Sequence, residues 1–120
     1  MKHLVFILAV AVMLGSCKLP ADIAGISVQT PDLTKVADGT WRGICNASLI
    51  KAQVAVTVHG GRIETIVIER HEHGRGGKAE AIVDRVIARQ SLEVDVVSGA
   101  TGSSKVILKA IEQALAEGSR

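Results

Sequence analysis

Valine at every second position near the middle of the chain is the feature that most constrains the fold. Between Gln53 and Val58 the valines alternate with alanine and threonine, and a period of two residues predicts a half-buried β-strand. Gly60-Gly61 then supplies a two-residue loop, because glycine adopts positive φ angles without steric cost. The stretch that ends at Ile68 therefore predicts an antiparallel hairpin.

The two-residue loop also predicts which side chains of the hairpin share a face. It places His59 opposite Arg62 and Val58 opposite Ile63. Because side chains alternate along a strand, the face that carries the valines is predicted to include Ile63, Thr65 and Val67. The opposite face is predicted to carry Ala55, Thr57, Glu64, Ile66 and Ile68.

Four other segments predict regular structure. Thr40–Cys45 and Leu92–Val97 predict short strands, whereas Lys78–Gln90 and the segment that ends at Glu117 predict helices because apolar residues recur every three or four positions. The predicted buried faces of the two helices are Ala79, Ile82, Val83, Val86 and Ile87, and then Ile107, Ala110, Ile111, Ala114 and Leu115. This order of elements predicts an α+β fold, a small antiparallel or mixed sheet with two helices packed on it.

The composition fits one small domain and excludes a nucleic-acid-binding surface. The chain has 120 residues, 48% of them hydrophobic, but its only aromatic residues are Phe6 and Trp41. The core must therefore be built from aliphatic side chains. The net charge is +2 and charges of both signs are interspersed, so the basic stripe typical of nucleic-acid-binding proteins is missing.

The amino terminus has the layout of an export signal. Lys2 precedes eleven apolar residues, Leu4 to Leu14, and a membrane-spanning helix needs about 20, so the run is typical of a signal peptide. Leu14-Gly15-Ser16-Cys17 resembles the lipobox of bacterial lipoproteins, in which the chain is cut before the cysteine and the cysteine is lipidated. This resemblance implies a signal peptide over residues 1–16, a lipid anchor on Cys17 and a membrane-bound location outside the cytoplasm, in the periplasm or on the cell surface.

The residues after the cysteine suggest a tether. Both prolines of the chain lie between residues 17 and 37, where no periodicity is sustained, which predicts a lipidated tether over this range and a folded domain over residues 38–120. With Cys17 lipidated, no intrachain disulfide to Cys45 is expected. The alternative is an ordinary signal peptide, with Cys17 free or paired with Cys45.

The junction from Asp95 to Lys105 suits a phosphate. It passes from β-branched residues through two glycines and several hydroxyl side chains into a helix. The first turn of a helix has unpaired N–H groups and the positive end of the macrodipole. A phosphate there would also favour the charge of Lys105. A nucleophilic serine is not indicated, since the Gly-x-Ser-x-Gly pattern is missing.

The sequence does not predict a metal site. It lacks paired cysteines with ligand spacing, a haem-attachment motif and a Walker-type loop. His71 and His73 would lie on one face of a strand, so one interpretation is a metal bound by this pair. The other interpretation is a pair of solvated loop histidines.

Asp95-Val96-Val97-Ser98-Gly99-Ala100-Thr101 resembles the flavinylation motif of the FMN-binding domain family, which includes the C subunit of sodium-translocating NADH:quinone oxidoreductase and the G subunit of the Rnf complex. The resemblance implies that FMN is the cofactor and that a flavin transferase attaches it through a phosphoester to Thr101. It also implies that Ser98, Gly99 and Ala100 form the attachment loop. Asp95 matches an acidic residue that the transferase recognises.

The similarity extends beyond the motif. Asp38–Gly43 resembles the family's opening turn and aromatic strand, Val54–Ile68 its valine hairpin, and Ile87–Thr101 the stretch from the helix into the motif. One departure is His71-Glu72-His73-Gly74, where family members commonly have a histidine followed by a Glu-Thr-Pro-like turn.

By this resemblance the amides of Gly102, Ser103 and Ser104 and the charge of Lys105 would hold the phosphate of FMN. Trp41 would stack on the isoalloxazine ring, with core packing as the alternative. The domain is small and has no nicotinamide motif, so the resemblance implies an electron carrier between redox partner proteins rather than a complete enzyme. The alternatives are a non-covalent FMN-binding module and a structural or interaction lipoprotein without redox activity.

Overall fold

A computed structural model describes residues 26–47, 50–72 and 77–119 of the chain. Within these residues three antiparallel strands form one sheet in the order β1-β2-β3, and two α-helices follow. The elements are β1 Gly39–Ala47, β2 Ile50–His59, β3 Arg62–Glu72, α1 Ile82–Arg89 and α2 Thr101–Gly118, with 3-10 turns at Leu33–Lys35 and Gly77–Ala81. The predicted α+β class, a small antiparallel sheet with two helices packed on it, is confirmed.

The core lies between the helices and one face of the sheet. α2 contacts β1 and β2, whereas α1 contacts β3. The largest fully buried aliphatic side chains are Val54, Val56, Val58, Ile63, Ile82, Val86, Leu92, Val106, Ile107, Ile111 and Leu115. Burial of each contributes about 2 kcal/mol relative to exposure. The predicted buried faces of both helices are confirmed, except that Ile87 is only partly buried.

Gly43 allows α2 to lie directly on the sheet. A Cβ atom built on Gly43 would overlap the carbonyl oxygen of Ala110 and lie 2.5 Å from the amide nitrogen of Ala114. Any side chain here would therefore collide with the helix backbone. The missing side chain sets how closely α2 approaches β1, and with it the position of the first turn of α2.

The predicted Gly-Gly hairpin is confirmed. Gly60 and Gly61 have φ angles of 59° and 73°, the left-handed conformation that a two-residue loop requires. Val58 pairs with Ile63 as the loop length predicts. The loop therefore specifies the pairing next to it.

A β-bulge overturns the predicted register further along the hairpin. The pairing shifts by one residue just after the loop, and Val56 pairs with Ile66. Ile66 faces the core with 8% exposure, whereas Val67 is 55% exposed. The predicted faces were therefore wrong for Thr65 and Val67, which lie on the outer face, and for Ile66 and Ile68, which lie on the valine face. One extra residue in a strand inverts the faces of the residues that follow, here as far as Ile68, after which a second register shift restores the alternation.

The outer face of the sheet carries a polar cluster that joins the three strands. Arg42 Nε and Gln53 Nε2 each donate to Glu69 Oε1 at 3.1 Å. These hydrogen bonds, with that from Arg42 the stronger cause, hold the pKa of the Glu69 carboxyl below its usual value. Ile44 on the same face is 53% exposed, so the helices cover only the other face in the described part of the chain.

Leu92–Val97 forms no strand, and this prediction was wrong. Arg85 Nη1 donates to the carbonyl oxygens of Asp95 at 2.8 Å and Val96 at 3.3 Å. Successive carbonyls of a strand point to opposite sides. Because two successive carbonyls here point to the same nitrogen, the backbone of this segment is not that of a regular strand.

The Gln90 side chain pairs with the edge of β3. Its Oε1 accepts a hydrogen bond from Ile63 N at 2.7 Å, and its Nε2 donates to Ile63 O at 2.8 Å. One side-chain amide thus bonds both main-chain groups of Ile63, as a neighbouring strand would. The backbone of Gln90 is left-handed, with φ 52°, at the point where α1 ends.

Residues 26–37, which the sequence analysis assigned to the tether, lie against the domain. Val36 forms a β-bridge with Ser119, and Ala37 N donates to Gly118 O at 2.8 Å. Val36 is part of the core, and three partly buried apolar side chains of the segment pack against it: Ile26, Val28 and Leu33. This part of the predicted tether belongs to the folded unit.

The structure contains no helix with the length and apolar character needed to cross a membrane, as far as its described residues go. The predicted signal peptide, Cys17 and the first part of the predicted tether lie outside those residues.

Candidate functional site

A tight turn places Thr101 at the surface. Ala100 N donates to Val97 O at 2.9 Å, and Gly99 between them has a φ of 80°, in the left-handed region that glycine favours. Thr101 follows as the first residue of α2. Ser98, Gly99 and Thr101 are all exposed, so the turn presents these residues of the motif to solvent.

Ser104 holds this turn from the inside. Its hydroxyl donates to Ala100 O at 2.8 Å and accepts a hydrogen bond from Val97 N at 3.0 Å, and the residue is fully buried. Its amide also donates to Ala100 O, at 2.9 Å. The expectation that Ser104 contacts a phosphate was wrong, because its hydroxyl and its amide both bond to the turn. Ser103 is buried as well, at 3% exposure, so its side chain is not a surface ligand.

Replacement of Ser104 by alanine is expected to destabilise the domain by about 1–3 kcal/mol, because the amide of Val97 and the carbonyl of Ala100 each lose a hydrogen-bond partner. Urea denaturation would measure this loss. Ser98→Ala is the matched control and should change stability by less than about 0.5 kcal/mol, since Ser98 is exposed. Equal stability of the two variants would contradict the structural role of Ser104.

The electrostatics at the start of α2 favour a bound anion. Ala100 at the N-cap makes no side-chain hydrogen bond, and the first turn has no acidic residue. The macrodipole of this 18-residue helix places about half a positive charge here. Thr101, Gly102 and Ser103 lie in the first turn, where helix geometry leaves N–H groups without intrahelical partners. Lys105 lies one turn further along and is partly buried.

Lys78 reaches the same turn and was missed by the sequence analysis. It lies in the 3-10 turn Gly77–Ala81, and a Cβ atom built on Gly99 would lie 2.7 Å from its Nζ. The ammonium group therefore sits directly against the glycine of the attachment loop. No local pattern relates these two positions, so only the tertiary structure brings them together.

A groove of about 400 Å³ borders the segment that leads into the motif. It is lined by Arg85, Ala88, Arg89, Glu93, Val94 and Asp95. The two arginines come from α1 and the two acidic residues from the segment that follows it. Asp95 is exposed at this groove, which leaves its carboxylate accessible from outside.

Trp41 lies at the opposite end of α2 from Thr101. Its Nε1 donates to Ala37 O at 2.9 Å, and a Cβ atom built on Gly118 would lie 2.5 Å from this nitrogen. The two ends of α2 are about 25 Å apart at 1.5 Å per residue. This separation does not favour the predicted stacking of Trp41 on a flavin attached to Thr101. The alternative of core packing fits the contacts of Trp41.

His71 is a buried side chain of β3 rather than a solvated loop residue. The side chain is 2% exposed, and its Nδ1 lies 3.1 Å from Glu80 Oε2. The pair joins β3 to the 3-10 turn that carries Lys78. His73 lies outside the described residues, and the residues that are described contain no group of three or more His, Cys, Asp or Glu side chains arranged to hold a metal ion.

Comparisons with known proteins agree with the motif. A family model for the FMN-binding domain matches residues 12–116. An uncharacterised protein of Treponema pallidum (strain Nichols) is 30% identical over 84 residues, which are 68% of this chain and 23% of that protein. The chain therefore spans less than a quarter of the length of this relative. No solved structure gives a significant match.

Proposed function

Because the chain belongs to the FMN-binding domain family and FMN is its cofactor, we propose that it is a lipid-anchored flavoprotein outside the cytoplasm. In this proposal it carries FMN covalently on Thr101 and passes electrons between redox partner proteins. The observation that supports this most is the position of Thr101. It is exposed and begins a helix whose start no side chain caps.

The surroundings of Thr101 suit the phosphate group of FMN. The amides in the first turn of α2 and the Lys78 ammonium beside Gly99 both favour negative charge. A negative charge at a helix start is typically favoured by about 0.3–1 kcal/mol. Ser104 supports the site indirectly, because it holds the turn from which Thr101 projects.

Attachment requires an activated flavin, and we propose that a flavin dinucleotide is the donor. Thr101 Oγ forms the new bond to the phosphorus that bears the flavin, while the pyrophosphate bond breaks and the nucleoside monophosphate leaves with the bridging oxygen. The hydroxyl proton passes to a base of the flavin transferase. Once bound, FMN supplies the redox chemistry, and the residues of this chain supply attachment, charge and position.

A covalent bond has a physical advantage in the proposed location. Outside the cytoplasm a dissociated flavin would be lost by dilution, and the phosphoester prevents dissociation. The nine residue-to-residue steps from Cys17 to Ile26, the first described residue, would span at most about 32 Å when extended. Lipidation of Cys17 would therefore hold the domain close to the membrane surface.

Intact-mass spectrometry after co-expression with a flavin transferase tests this proposal. We expect a mass increase equal to one FMN phosphoester and a yellow colour that survives denaturation. Expression without the transferase is the control and should give colourless, unmodified protein.

Each alternative predicts a different outcome. A yellow colour that is lost on denaturation would indicate non-covalent FMN. A colourless, unmodified protein from cells that contain the active transferase would indicate a structural or interaction lipoprotein. Either result would overturn covalent attachment.

A further inference from the structure

Arg85 holds the backbone of the segment that leads into the motif. Its Nη1 donates to the carbonyl oxygens of Asp95 and Val96, at 2.8 and 3.3 Å. Residues 93–97 have no strand partner in the described part of the chain. The Arg85 guanidinium, which extends from α1, thus donates hydrogen bonds to these carbonyls as the amides of a neighbouring strand would.

We propose that Arg85 is a positioning residue for the modification of Thr101, an inference that rests on the proposed function. Arg85 acts through the backbone and does not contact the flavin. Its two hydrogen bonds end at Val96, and the next residue, Val97, donates to Ser104 Oγ and accepts from Ala100 N. Arg85 therefore holds the chain that enters the turn, whereas Ser104 bonds both ends of the turn, at Val97 and at Ala100.

Neither Arg85 nor Ser104 forms a hydrogen bond to the tip of the turn. Ser98 and Gly99 lie between the two held positions and are exposed, and Thr101 begins α2 directly after them. If the bonds from Arg85 are lost, the chain before Val97 is released and the turn samples other shapes. A transferase that binds one shape then meets only the competent fraction of molecules, and the apparent affinity falls by that fraction.

Arginine suits this role because of its shape. The planar guanidinium has several N–H donors in a fixed geometry, and it remains charged at all relevant pH values. A lysine ammonium is a compact charge on a flexible stem, so it holds two carbonyls less firmly. Arg85→Lys should therefore preserve the charge of the groove but only part of the positioning.

The test compares Arg85→Gln and Arg85→Lys with Arg89→Gln in the full chain. Arg89 lies one turn further along α1 and lines the same groove, so Arg89→Gln removes the same charge. The initial rate of FMN incorporation is measured against the concentration of acceptor chain, with purified transferase and flavin dinucleotide. We expect Arg85→Gln to raise KM about tenfold with kcat within about twofold, Arg85→Lys to lie between it and wild type, and Arg89→Gln to resemble wild type.

Amide hydrogen exchange in the unmodified chain provides a second measurement that needs no transferase. We expect the amide of Val97 to exchange about tenfold faster in Arg85→Gln than in wild type or Arg89→Gln. Amides in the middle of α2 should keep their wild-type rates, because the core contacts do not change.

Three results would overturn the role of Arg85. They are a wild-type KM in Arg85→Gln, an equal rise of KM in Arg89→Gln, and unchanged exchange at Val97. The second of these would assign the effect to the charge of the groove. Failure of the proposed function would look different from failure of the role of Arg85, because the wild-type protein would then accept no FMN on Thr101. The exchange measurement would still decide whether Arg85 orders the turn.

Discussion

Replacement of Thr101 by alanine is expected to abolish covalent attachment of FMN completely. The hydroxyl oxygen of Thr101 is the atom that forms the phosphoester, and alanine at the first position of α2 offers no nucleophile. Because Thr101 is exposed, we expect the variant to fold as the wild type does, since surface substitutions usually change stability by less than about 0.5 kcal/mol. Intact-mass spectrometry of protein co-expressed with the transferase would measure the loss.

Two variants control this prediction. Ser98→Ala removes the other exposed hydroxyl of the turn and should still be flavinylated. Thr101→Ser keeps a hydroxyl at the same position and should retain part of the modification. An FMN adduct of unchanged mass and yield in Thr101→Ala would show that attachment occurs elsewhere.

Replacement of Gly43 by alanine is expected to destabilise this domain strongly. The new Cβ would overlap the carbonyl oxygen of Ala110 and lie 2.5 Å from the amide nitrogen of Ala114. Helix backbone cannot rotate away as a side chain can, so α2 must shift from the sheet. We expect a loss of at least about 3 kcal/mol and a fall in Tm of about 12 °C or more.

Gly60→Asn is the matched control for Gly43→Ala. A Cβ atom on Gly60 meets no atom within 4 Å, and its φ of 59° lies in the left-handed region that asparagine tolerates. Its thermal unfolding should therefore lie close to that of wild type. If Gly43→Ala unfolds at the same temperature as Gly60→Asn, the close contact between α2 and β1 does not limit stability.

Patterns along the chain predicted the secondary-structure elements more reliably than they predicted the tertiary contacts between those elements. The Gly-Gly loop and the valines of β2 predicted the hairpin and its first pair, because glycine conformations and side-chain alternation are local properties. The recurrence of apolar residues likewise predicted the buried face of α2. The family match then agreed with the motif that ends at Thr101.

The errors arose at two places, where a distant side chain bonds the backbone and where a strand contains an extra residue. The β-branched residues of 92–97 favour a strand, yet Arg85 draws two successive carbonyls to one side. The alternation of β3 predicted its faces, yet a bulge inverted them. Neither effect has a signal within a few residues of the segment it changes.

By itself the sequence determined the α+β class, the hairpin loop and the family with its cofactor, because periodicity, turn residues and a contiguous motif depend on neighbours along the chain. Only the tertiary structure decided which residues meet at Thr101. It places Lys78 against Gly99, buries Ser104 where its hydroxyl bonds the turn, and places Trp41 at the far end of α2. These placements depend on how closely α2 packs on Gly43 and on where α1 lies, and such packing is a property of the folded chain as a whole.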